Sequence, residues 1–132
     1  MMRRAFLTSL PAFVFLGEQA KGAQKMPPRV AAIFVGASWC PACAQVAPLL
    51  ARLPQDARVP VLVASLDNRP IAPFGEFVDA RGHPITQRIT RIPTVLIYNH
   101  TRDNITHAVT EYRAPRHFVQ LLATALRQAA AL

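Results

Sequence analysis

The chain has 132 residues, 52% of them hydrophobic and 17% charged, with 12 prolines, 5 glycines and 2 cysteines. That length holds one domain, the hydrophobic fraction excludes wholesale disorder, and two cysteines are too few for a disulfide scaffold or a four-cysteine zinc site. The net charge of +8 comes mostly from 13 arginines scattered among 22 alanines, with no basic cluster carrying interleaved aromatics, so it speaks against nucleic acid as a partner.

Residues 1–23 have the layout of an export signal. Arg3 and Arg4 open it, mostly apolar residues run from Ala5 to Leu16, and small and polar residues close it around Gly22 and Ala23. The apolar run falls short of the roughly 20 residues a membrane span needs. Arg3-Arg4-Ala5-Phe6-Leu7 is similar to the twin-arginine export motif, although an arginine pair also serves as plain positive charge. The competing reading makes this segment the first helix of the domain. Pro11 in its middle and the lack of a 3.6-residue apolar stripe count against that. The expected division is a signal over 1–23 and a domain over 24–132, placed in the periplasm or otherwise exported.

Past the signal, strands and helices alternate. Val30 to Val35 is an apolar run closed by Gly36, the pattern of a buried strand. Pro41 to Leu53 carries Val46, Leu49, Leu50 and Leu53 on one helix face, with Pro41 suited to the first turn and Pro48 expected to kink the helix. Val59 to Ala64 reads as a second strand. The stretch from Asp67 to Gly82 is the least regular; a short helix is expected around Phe74 to Asp79 and a helical turn over Pro84 to Ile89. Phe74 and Phe77 either pack in the core or meet a partner. Thr94 to Tyr98 reads as a third strand, Asn99 to Asn104 as a polar turn, and Ile105 to Thr110 as the hairpin's return strand. A last helix starts near Pro115, with Phe118, Leu121, Leu122, Ala125 and Leu126 on one face. This order predicts an α/β domain, a mixed sheet flanked by helices.

The chemistry lies in Trp39-Cys40-Pro41-Ala42-Cys43. A C-x-x-C between a strand and a helix puts Cys40 at a helix N-terminus, where unpaired N–H groups and the helix dipole favour a thiolate. Cys40 is the expected nucleophile. Cys43, one turn on, is the expected resolving thiol, able to displace a partner from a mixed disulfide. The other readings are half of a zinc site and an inert disulfide. His83, His100, His107 and His117 lack the spacing that would complete a zinc site, so no metal is expected.

These residues resemble the thioredoxin superfamily over about 29–130. Trp39 precedes the first cysteine, Pro48 falls at that family's helix-kinking proline, and Arg91-Ile92-Pro93-Thr94 looks like its cis-proline loop. The resemblance implies a thioredoxin fold, a mixed sheet of about four strands flanked by helices. It also implies a cis Pro93 facing a redox-active Cys40–Cys43 pair, and a substrate segment lying against Ile92 and Trp39. Two departures stand out: Phe34 occupies the place of thioredoxin's buried acid, and that acid's lysine partner is missing near Ser65.

The Pro-Ala dipeptide lacks the cationic residue that can make such a pair strongly oxidising. The expectation is therefore a monomeric protein-disulfide reductase outside the cytoplasm, serving cytochrome c maturation or thiol maintenance. It would need no cofactor, take protein thiols and disulfides as substrates, and draw electrons from a membrane partner. A disulfide-donating oxidase and a non-catalytic binding module with the same fold are the alternatives.

Overall fold

Val30–Gly36 forms β1, the middle strand of the sheet; it is apolar on both sides, with Val30, Ala32, Phe34 and Gly36 buried on one face and Ala31 and Ile33 partly buried on the other. A computed structural model describes residues 28–132 of the protein, so the expected export signal over 1–23 lies outside the described residues. After β1 come α1 (Pro41–Leu50), the single-turn α2 (Leu53–Asp56), β2 (Val61–Ser65) and the short β3 (Val78–Asp79). A 3-10 helix (Pro84–Arg88), β4 (Thr94–Asn99), β5 (Asn104–Val109) and α3 (Pro115–Ala130) complete the fold. The strands lie in the order β3-β2-β1-β4-β5. β1, β2 and β3 run parallel, while β4 is antiparallel to β1 and forms a hairpin with β5. This is the mixed sheet of a thioredoxin fold, with five strands among the described residues where about four were expected.

The fifth strand comes from the irregular stretch. The helix expected around Phe74 to Asp79 does not form. Val78 and Asp79 pair instead with Ala64 and Ser65, and the Ala80 N–H donates to the Ser65 carbonyl at 2.8 Å. A helix there would leave the outer edge of β2 with unpaired backbone groups. Phe74 and Phe77 pack against the core, and the Phe74 ring lies 6.2 Å from that of Phe34.

Prolines account for the other boundary shifts. The helix expected over Pro41 to Leu53 stops at Leu50, and Leu53–Asp56 forms a separate turn. Pro54 has no N–H to give the Leu50 carbonyl, so the α1 hydrogen-bond ladder cannot run on through it. β2 starts at Val61 because Pro60 has no N–H to give; its carbonyl still accepts from the Ala32 N–H at 2.9 Å.

Helices α1 and α3 cover one face of the sheet. Phe118, Leu122, Ala125, Leu126 and Ala129 recur at helical spacing along α3 and bury against Ala32, Phe34, Val95 and Ile97. Buried Asn99 ties the hairpin turn to the end of this helix: its Nδ2 donates to the Ala129 carbonyl at 2.8 Å and its Oδ1 accepts the Arg102 N–H at 2.9 Å.

Candidate active site

The site begins where β1 runs out. Gly36 ends the strand, Ala37–Trp39 make a short loop, and Cys40 caps α1 with extended backbone (φ −86°, ψ 113°). Pro41 takes a first-turn position, where a missing N–H costs nothing. The Cys43 N–H donates to Cys40 Sγ at 3.1 Å, so a sulfur fills the capping role that a Ser or Asp oxygen usually plays. Both cysteines are free thiols. Cys40 keeps 5% of its surface exposed and Cys43 keeps none.

That difference sets their chemistry apart. Burial first, then the hydrogen bond to Cys40 and the charge of that sulfur, push the Cys43 thiol up to about 12. The floor beneath it is apolar and tight. A Cβ on Gly36 would stand 3.0 Å from Cys43 Sγ, 3.2 Å from Ile71 Cδ1 and 3.3 Å from the Phe34 ring. Gly36 is thus part of the site, making room for the second sulfur; its place at the end of an apolar run marks only the end of a strand.

Pro93 follows a cis peptide bond from Ile92 and is fully buried. The register Val35↔Thr94 starts β4 beside the end of β1, which brings the Ile92–Pro93 loop and the C-x-x-C to one end of the sheet. Ile92 packs against the core cluster that includes both cysteines, and Trp39 stands 70% exposed. Among the described residues, no group of three His, Cys, Asp or Glu side chains gathers as metal ligands would.

Residues 19–110 match the family model described as TraF, F plasmid transfer operon protein. The chain belongs to the TraF family, within the thioredoxin superfamily. Solved structures of the same fold include the thioredoxin of Malassezia sympodialis (Mala s 13), at 18% identity and a TM-score of 0.52 over 77% of this chain and 78% of that one. The N-terminal domain of PilB from N. meningitidis aligns at 16% identity and a TM-score of 0.51, covering 72% and 79% of the two chains. MTB DsbF, in mixed oxidised and reduced forms, aligns at 14% and 0.50, covering 73% and 80%. No curated protein matches the sequence.

This TraF-family chain departs from thioredoxin just where the sequence indicates. Phe34 is fully buried with its ring beside the Gly36 floor, so no acid stands at that position. A carboxylate does enter the neighbourhood from the loop after β2, and sequence reasoning missed it. Asp67 accepts the Ser38 N–H (3.3 and 3.2 Å to its two oxygens) and the Ser38 hydroxyl. Ser65 Oγ lies 2.9 Å from Asp67 Oδ1 and 2.8 Å from the Arg69 carbonyl, and accepts the Arg69 N–H at 3.0 Å. The Ser38 hydrogen bond, chief among these, holds the Asp67 carboxyl below the usual carboxylate range. The only hint in the sequence is the turn-forming Asp67-Asn68-Arg69-Pro70.

Proposed function

We propose that this protein is a thiol–disulfide oxidoreductase that reduces protein disulfides outside the cytoplasm. The observation that carries this reading is the Cys43 N–H donating to Cys40 Sγ at the start of α1, with the second sulfur buried below. That N–H gives Cys40 Sγ a donor at the helix start, while burial keeps Cys43 protonated and in reserve.

The exchange runs in two displacements. The Cys40 thiolate attacks one sulfur of a substrate disulfide, forming a mixed disulfide and releasing the other substrate sulfur as a thiolate, which takes a proton. Cys43 then loses its proton, attacks Cys40 Sγ and releases the second substrate thiol. Two electrons have passed to the substrate, and the chain carries a Cys40–Cys43 disulfide. A dithiol donor, which we assign to a membrane electron-transfer partner, reverses that bond for the next cycle. The Pro93 loop, with Ile92, and the exposed Trp39 are the surfaces against which a substrate segment lies.

Export rests on the signal pattern over 1–23, and reduction on the absence of a cationic residue between the cysteines. The reduction potential tests the direction. A value near about −270 mV supports a reductant, whereas one near about −120 mV makes the chain a disulfide donor. Cys40→Ser should abolish insulin reduction, and Cys43→Ser should trap the mixed disulfide as a gel-shifted adduct. Full activity in Cys40→Ser would overturn the mechanism.

A further inference from the structure

The exchange scheme leaves Asp67 and its two serines without a part, yet they bracket the dithiol. Ser38 stands two residues ahead of Cys40. Ser65 is the strand neighbour of Gly36, on the same side of the sheet as the space that Cys43 Sγ occupies. We propose that Asp67 is the positioning residue of the dithiol, its carboxylate locking the Ser38–Cys40 loop to the strand floor under Cys43 so that Cys40 Sγ stays within reach of Cys43 through exchange. This rests on the oxidoreductase reading above.

Three observations support it. Apart from the core packing of Ala37, the loop has one further bond, the Cys40 N–H donating to the Ala37 carbonyl at 3.2 Å, and Trp39 is mostly in solvent. A carboxylate suits the position, because its two oxygens accept the Ser38 N–H and the Ser38 hydroxyl together while one lies within reach of Ser65 Oγ, and an ionised acceptor strengthens each bond. Ser65, the deep end of the clamp, is fully buried and orients the carboxylate from below. The other acid nearby does a different job: Asp79 lies in β3, beside Ser65, and its carboxylate pairs with the Arg81 guanidinium at 2.9 Å.

The test measures iodoacetamide labelling of Cys40 and insulin reduction at pH 7 on the reduced full-length chain, with the melting temperature of each variant. Asp67→Ala should slow labelling and lower kcat by about tenfold, the scale on which misplaced reacting groups lose rate. Asp67→Asn, which keeps one acceptor oxygen, should recover most of both rates. Ser38→Ala should cost a few-fold, and adding it to Asp67→Ala should cost nothing more, since the two remove one interaction. Asp79→Asn should match the wild type. Wild-type rates in Asp67→Ala, or losses that multiply in the Ser38/Asp67 double variant, overturn the proposal. Should Asp67→Ala not fold, Asp67→Asn and Ser38→Ala at wild-type rates overturn it equally. A wild-type Cys40 that labels no faster than a free thiol sinks the exchange reading instead.

Discussion

The two faces of the sheet are equally apolar in sequence and unequally covered in space. Under α1 and α3, Ala32, Phe34, Val95 and Ile97 have no exposed surface and Val63 has 2%. On the opposite face, Ile33, Leu62 and Leu96 lie side by side across β2, β1 and β4. Among the described residues, the helix there is the 3-10 turn Pro84–Arg88, whose Ile85 packs with Ile89 against Val35 and Leu96. Leu62 and Val78 are left 47% exposed and Ile105 38%. Both cysteines belong to the well-covered side. A fully buried thiol such as Cys43 needs a close-packed floor to hold it, and the half-open face has none to offer.

The comparison predicts where substitutions hurt. Phe118→Ala on the closed face should cost about 3–5 kcal/mol in urea unfolding, the usual loss for an emptied core ring. Gly36→Ala should cost about 1–3 kcal/mol by overpacking, because its methyl would meet Cys43 Sγ and the Phe34 ring, and should prolong the life of the mixed disulfide in rapid-quench experiments. The raised Cys43 thiol supplies a pH signature of the same packing. Burial favours the protonated form in the folded state, so its share of stability is complete below the unfolded thiol value of about 8.5 and is lost as pH rises from there toward about 12. Cys43→Ala should flatten that alkaline slope in urea titrations. Leu62→Ser, on the open face, should change stability by less than about 0.5 kcal/mol and leave insulin reduction unchanged. If it cost as much as Phe118→Ala, the inequality of the two faces would be wrong.

What could be read along the chain was whatever local pattern encodes. Apolar runs marked β1, β2 and β4, the spacing from Phe118 to Leu126 marked the last helix, and Cys40, Pro41 and Cys43 marked a capped helix start. Pro93 was legible through resemblance, and it stands in a cis bond. Two features of the irregular stretch were not legible. Val78 and Asp79 have no strand pattern of their own, and they become a strand because the edge of β2 has hydrogen bonds to complete. Asp67 is 29 residues from Ser38 in sequence, and nothing local to either residue announces their contact.

The sequence by itself therefore determined the C-x-x-C pair, its place at a strand-to-helix junction and most of the elements around it. These rest on propensity, capping and spacing within a few residues. The tertiary structure alone decided that Cys43 is the more deeply buried cysteine, that Gly36 must be bare beneath it, and which carboxylate holds the loop in front. Each of those depends on strand register, which brings Gly36 beside Ser65 and Val35 beside Thr94. Register is settled by the burial of whole sheet faces at once, and that sum over distant residues is written in no single stretch of chain.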